Sequence, residues 1–210
     1  RAYSIASSPH EPGILELCRS ALEVFEDQSH AVEDLPPPFP AEEIWESWTT
    51  LRSFAVAAGL RALDNNRADL KDTAVWELER GLSLGGDQIQ QASDIRSHWQ
   101  RRAVEIFADF DALVLPTAQC WPFPIDSEYP RAIAGRDMDS YHRWMQVVTP
   151  VSLLGLPCLG APAGFGSQGL PMGLQIFGPQ GSDRALLALG QAYHQATEHP
   201  QSRPPELALL

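Results

Sequence analysis

WMQVVTPVSLLGLPCLGAPAGFGSQGLPMGLQIFGPQGS, residues Trp144 to Ser182, is a run of 39 residues without one Asp, Glu, Lys, Arg or His. Hydropathy alone would suggest a membrane span. The prolines at 150, 157, 162 and 171 and the glycines at 155, 160, 164, 166 and 169 rule out a helix of bilayer length. Buried strands and tight turns fit better. Cys158 to Pro162 and Gly173 to Phe177 read as two adjacent central strands, turned back on each other antiparallel by the glycine-rich segment between them. That segment, Gly164-Phe165-Gly166-Ser167-Gln168-Gly169, also fits G-x-G-x-x-G. A dinucleotide site needs a helix N-terminus directly after the motif. Here Leu170-Pro171-Met172-Gly173 leads into a strand, so the reading is a hairpin turn.

On the N-terminal side, Asp111-Ala112-Leu113-Val114-Leu115-Pro116-Thr117 reads as a buried strand closed by Pro-Thr. A Trp- and Pro-rich loop follows from Trp121 to Pro130, and Asp139 or Ser140 caps a helix through Val148. On the C-terminal side Ser182 caps a helix from Arg184 to Thr197, which covers the two strands. A Pro-rich tail begins at Pro200. The front of the chain is helical. Ile14, Leu15, Leu17, Cys18, Ala21, Leu22, Val24 and Phe25 recur at three and four. A short strand-like piece follows at His30–Glu33, then a proline-rich loop at Leu35–Pro40. A second helix runs from Ala41 to Leu63, with Ile44, Trp45, Trp48, Leu51, Phe54 and Ala55 on one face, and Asp64-Asn65-Asn66 breaks it. Asp72 or Thr73 opens a short helix through Leu78. Asp87 begins a long one carrying Ile89, Ala92, Ile95, Trp99, Val104, Ile106 and Phe107. Helices, then strands, then a helix imply an α/β fold with a mixed central sheet flanked by helices.

Composition sets the outer bounds. The chain has 210 residues and a net charge of −12, of which residues 1–111 carry −10. An acidic balance opposes an electrostatic grip on nucleic acid or anionic lipid. Cys18, Cys120 and Cys158 form no C-x-x-C pair and read as reduced, buried thiols of a cytoplasmic protein. Residues Arg1 to Ala6 have no apolar middle of a signal peptide. His194 and His199 are five apart with Pro200 beside them, a poor metal pair, and neither metal nor cofactor is expected. Ser167 lacks the glycine two residues before it that a nucleophile elbow requires, because Phe165 stands there. His98, His142 and His194 sit in helix-like stretches as surface or core histidines. Fourteen of the 15 basic residues are Arg; the one lysine is Lys71.

Three blocks in this order are specific: Asp111-Ala112-Leu113-Val114-Leu115-Pro116-Thr117-Ala118, then Gly155-Leu156-Pro157 running on to Pro162-Ala163-Gly164-Phe165, then Gly169-Leu170-Pro171-Met172-Gly173-Leu174-Gln175. With the Leu- and Ala-rich helix behind them they resemble the C-terminal half of the amidase signature family. Residues 109–197 carry the likeness strongly and residues 1–108 weakly. The resemblance implies a layered α/β amidase domain spanning 1–199, mainly helical over 1–108, with core strands and closing helix over 109–199 and a tail at 200–210. It implies amide hydrolysis by a nucleophilic Ser, a second Ser on a cis peptide, and a Lys base. Those come from a Gly/Ser-rich loop and an earlier strand, neither of which is present. A lysine becomes a base only when burial and neighbours lower its pKa. The polar flanks of Lys71 read as an exposed helix start, so no catalytic residue is expected in this chain.

The expectation is therefore the C-terminal part of an amidase, inactive alone, whose catalytic residues lie upstream. The alternatives are a non-catalytic binding domain and a subunit completed in trans by a catalytic chain. The partner expected in the intact enzyme is a small-molecule amide. Its acyl-group pocket would use Thr117 and Gln119 beyond the strand end, and Trp144, Met145 and Val148 on the helix before the Gly-x-Pro turn. A sheet lacking its other strands should self-associate or leave an uncovered surface along Cys158–Pro162 or Gly173–Phe177.

Overall fold

The computed structural model describes residues 8–197 and His199, with side chains throughout except at positions 63–66. Arg1 and the tail from residue 200 lie outside the described residues. In chain order the elements are α1 (Ile14–Asp27), α2 (Ala41–Leu60), a 3₁₀ segment (Arg61–Asp69), α3 (Asp72–Ser83), α4 (Gly86–Ile106), β1 (Leu113–Pro116), β2 (Ala132–Ile133), β3 (Arg136–Asp137), a second 3₁₀ segment (Arg143–Val148), α5 (Thr149–Leu154), β4 (Cys158–Phe165), β5 (Pro171–Phe177) and α6 (Asp183–Thr197). They form two compact units. One joins the residues up to Pro38 with those from Ala103 onward; the other is Phe39–Arg102.

The first unit is a three-stranded sheet with helices on it, in the order β1-β5-β4. The uncharged run does supply two adjacent antiparallel strands, and β5 is the central one. Leu113 pairs with Phe177 and Pro116 with Leu174, while Cys158 pairs with Phe177 across the other edge. Side chains alternate between faces along each strand. Val114, Leu174, Ile176, Ala161, Ala163 and Met172 form one core with Ile14, Cys18, Leu22 and Phe25 of α1 and Leu186 and Tyr193 of α6. Tyr193 stacks on Phe25 with ring centroids 5.0 Å apart, and its hydroxyl donates to the Pro162 carbonyl at 2.8 Å. On the opposite face Phe107 meets Phe177 edge-on.

Several local expectations are corrected. His30–Glu33 forms no strand. Ser182 does not cap α6 with its side chain: its buried Oγ has no hydrogen-bond partner among the described residues, and only its carbonyl takes the Leu186 N–H. The helix expected through Val148 is two short pieces. Asp139 is engaged by the Arg143 guanidinium, which holds its carboxyl below the usual range, and Met145 has non-helical dihedrals (φ −108°, ψ 19°). Pro150 then sits in the first turn of α5, where its missing N–H costs nothing. A small hairpin, β2–β3, went unforeseen because its two-residue turn is Ala134-Gly135 (φ 47° and 78°) rather than the Asn-Gly that usually signals it. Cys18 and Cys120 are buried as expected, but Cys158 is exposed: it opens edge strand β4, where Cys158, Gly160 and Pro162 alternate outward.

In the second unit α2 ends at Leu60 rather than Leu63, and α3 runs past Leu78 to Ser83. The buried side of α2 is not the stripe of large residues. Besides Ile44 and Trp45 it buries Ser47, Thr49, Thr50, Ser53 and Ala57, while Phe54 is 46% exposed. Close helix packing is the reason. A Cβ on Gly81 of α3 would lie 2.1 Å from the Ser53 carbonyl oxygen, so the seam admits only small residues. Across it Ser53 and Arg52 both bind the buried Glu77 carboxylate, and Ser47 of α2 donates to Ala92 O of α4 (2.6 Å).

Candidate functional site

Antiparallel pairing holds the chain one residue beyond β1. The Thr117 N–H donates to Gly173 O at 2.9 Å, and its hydroxyl donates to the same oxygen at 3.1 Å. From there Ala118–Phe123 leaves the sheet and walls a cavity of about 380 Å³, lined chiefly by Thr117, Cys120, Trp121, Phe123, Trp144 and Met172. It sits beyond the C-terminal end of β1, where open α/β sheets usually bind ligands. A larger hollow of about 580 Å³ lies at the other end of β1, bounded by Phe25, His30, Phe110, Asp111 and Leu186. Among the described residues, no serine, cysteine or lysine lines it.

The walls of the smaller cavity are aromatic and fixed. Phe123 meets Trp144 edge-on with centroids 5.5 Å apart, and both pack on Cys120, Ile133 and Met138. Trp121 is tied at both ends: its indole Nε1 donates to Pro12 O (3.1 Å) and its backbone N–H to a Glu11 carboxylate oxygen (2.7 Å). Burial, reinforced by the Glu11 charge, pushes the Cys120 thiol up to about 11. It stays protonated at neutral pH and is no nucleophile. Among the described residues, no activated nucleophile lines the cavity.

The five residues expected to bind ligand are placed differently from one another. Thr117 and Trp144 line the cavity. Gln119 is fully buried beside it, with Nε2 donating to Pro9 O (3.1 Å) and Oε1 accepting from Val147 N–H (2.9 Å). Gln175 completes that brace, donating to Pro116 O (2.7 Å) and Val147 O (3.2 Å). Met145 and Val148 are half-buried and not among the lining residues. Trp121, Phe123 and Met172 were not singled out from the sequence. The one signal for Trp121 and Phe123 was the Trp- and Pro-rich loop two residues past Gln119, while Met172 stands in the Gly-Leu-Pro-Met-Gly strand.

Other reactive side chains stand apart. Ser167 is exposed in the β4–β5 turn, His98 and His194 are exposed, and His142 is buried against Tyr141. Lys71 is exposed at the start of α3. Among the described residues no group of three His, Cys, Asp or Glu could hold a metal, and no helix is long and apolar enough to cross a membrane.

Comparison with known proteins identifies the architecture. The family model described as Amidase matches residues 4–187. An acylamidase of Rhodococcus erythropolis is 25% identical over 197 residues, covering 92% of this chain and 41% of that protein. A glutamyl-tRNA(Gln) amidotransferase subunit of Desulforudis audaxviator is 29% identical over 223 residues, covering 93% and 43%. The chain thus spans less than half the length of the curated relatives it matches. Among solved structures, a bacterial aryl acylamidase of the amidase signature family superposes with a TM-score of 0.84 at 23% identity, over 95% of this chain and 44% of that one.

Proposed function

The chain belongs to the amidase family, and on that premise we propose that it builds the substrate pocket of an amide-hydrolysing enzyme whose nucleophile and base lie upstream of it. The observation that carries the reading is the aromatic cavity beyond β1, which offers binding walls but no activated nucleophile: its thiol is held protonated. The exposed setting of Lys71 supports the second half of the reading, since nothing buries it.

In the intact enzyme a serine hydroxyl from the upstream segment attacks the carboxamide carbon. The resulting tetrahedral intermediate expels the amine, which takes its proton through a second serine and a lysine. Water then hydrolyses the acyl-serine ester, releasing the acid and restoring the serine. This chain holds the substituent next to the carbonyl, fixed in place by Trp121, Phe123 and Trp144, so that the reacting carbon is presented to the incoming serine. The isolated 210-residue chain is inactive.

The test joins this chain to the segment its coding sequence places before Arg1. Hydrolysis by the joined protein, lost when a Gly/Ser-rich-loop serine becomes alanine, supports the proposal. Hydrolysis by the 210-residue chain alone, abolished by Ser167→Ala or Lys71→Ala, overturns it. A second reading, a subunit completed in trans, is favoured by the Desulforudis relative, which is by name one subunit of its enzyme. Activity that arises only on mixing separately expressed chains selects it.

A further inference from the structure

The Gly164–Gly169 turn holds three glycines at G-x-G-x-x-G spacing, and two have backbone reasons. Gly164 (φ 123°) and Gly169 (φ 74°) adopt conformations that other residues rarely take. Gly166 does not. Its N–H donates to Leu170 O and its carbonyl accepts from Gly169 N–H, both at 2.9 Å, in a conformation open to any residue. What requires a glycine there is Trp121. A Cβ on Gly166 would lie 2.5 Å from Trp121 Cη2, 2.8 Å from Cζ2 and 2.9 Å from Cζ3. The benzo edge of the indole rests on the Gly166 backbone. The other end is tied to Pro12 and Glu11, so an indole pushed from this seat can move only with those bonds broken or toward the cavity it lines.

We propose that Gly166 is a positioning residue that seats Trp121 so that the cavity accepts a flat aromatic ring, making aryl-substituted amides the preferred substrates. The inference rests on the pocket reading above and deepens it. Three aromatic side chains, Trp121, Phe123 and Trp144, face one space, with Met172 behind them. Rings meet other rings and thioethers at favourable stacked or edge geometries that a saturated ring of the same size cannot reproduce. An indole moved off Gly166 would change the wall that Trp121 gives this space. Glu11 serves the same purpose from the other side by holding the backbone of Trp121.

The experiment uses the 210-residue chain labelled with 5-fluorotryptophan and two probes of similar size, benzamide and cyclohexanecarboxamide. Fluorine NMR follows each tryptophan, assigned by Trp→Phe variants, and titration gives both affinities. The wild type should favour benzamide by about tenfold, the scale of discrimination an apolar pocket achieves, with the Trp121 and Trp144 signals moving. Gly166→Ala should displace the Trp121 signal and erase the preference. Adding Trp121→Phe, which removes the ring edge that collides, should restore it in part, a rescue of selectivity that a purely structural glycine would not give. Because Gly166→Ala could fail to fold, Trp121→Phe alone is the second variant, with reduced preference expected. A benzamide preference unchanged in both variants overturns the positioning role. Equal affinity for the two probes in the wild type overturns the aromatic ligand class. Hydrolysis by the joined enzyme is read separately: its presence without aryl preference sinks this inference alone, and its absence with aryl preference intact sinks only the proposed function.

Discussion

Gln119→Leu separates a structural brace from a ligand contact. The side chain is fully buried, and both ends are spent on backbone: the Val147 N–H and the Pro9 carbonyl. Leucine keeps the volume and removes both partners. Val147 is itself fully buried, so its N–H has no water to turn to. An orphaned buried polar group costs about 1–3 kcal/mol. Pro9 is half-buried and recovers part of its loss from solvent. The added apolar burial of leucine offsets about 1 kcal/mol. The net expectation is a loss of about 1–3 kcal/mol, a large share of the 5–15 kcal/mol typical of a folded protein. With a urea slope of about 2 kcal/mol/M the midpoint should fall by about 0.5–1.5 M. Urea unfolding followed by tryptophan fluorescence measures it. Gln175→Leu should cost a similar amount. The double variant should fall short of the sum, because both glutamines grip Val147. An unchanged midpoint in Gln119→Leu, together with lost benzamide binding, would refute the brace and return Gln119 to the ligand.

Gly81→Ala should destabilise the second unit by about 1–3 kcal/mol, although alanine ordinarily improves a helix by about 1 kcal/mol, because its Cβ would meet Ser53 O at 2.1 Å and Ala57 Cβ at 2.4 Å; a raised melting temperature would contradict the packing described. Burial pushes the Cys18 thiol from 9.0, and the Tyr193 hydroxyl from 10.0, up to about 12 each. Their neutral forms are favoured in the fold, so stability should hold below pH 9 and decline between pH 9 and 12, each group adding up to about 1.4 kcal/mol per pH unit; a urea midpoint that rises over that range would reverse the sign. At pH 8 a thiol reagent should label exposed Cys158 in the folded chain and reach Cys18 and Cys120 only in urea. The outer edge of β4, which no strand among the described residues pairs, should pair between copies, so light scattering should show association with rising concentration. Gly160→Lys should suppress it, since nothing lies within 4 Å of a Cβ there; a monomeric wild type at high concentration would count against an adhesive edge.

Legibility from sequence follows how many residues share the evidence. The strands β4 and β5 were readable because 39 uncharged residues broken by proline and glycine leave few other structures, and α1 because five buried residues repeat at helical spacing. The α2–α3 seam was not, because it is built on Ser53, Ala57 and Gly81, small residues whose value lies in letting two backbones approach and which carry no periodic apolar signal. The pocket was half readable for the same reason. Thr117 ends a strand and Trp144 precedes a turn, both positions marked by local sequence. Trp121 owes its place to Gly166, 45 positions away, and to Glu11, 110 positions away. No window along the chain contains those three residues together.

That separation says which substitutions the pocket can register. Trp144 and Phe123 support each other within one cluster, so replacing either disturbs mainly their shared contact. Trp121 instead bridges three segments: the stretch before α1 through Pro12 and Glu11, the loop after β1 that carries it, and the β4–β5 turn through Gly166. A change in the segment before α1 or in the β4–β5 turn reaches the cavity wall through one rigid ring, with no lining residue altered. Variation in what the pocket accepts is therefore open to residues that never touch the ligand. The G-x-G-x-x-G spacing, misleading as a nucleotide motif, marks one of them.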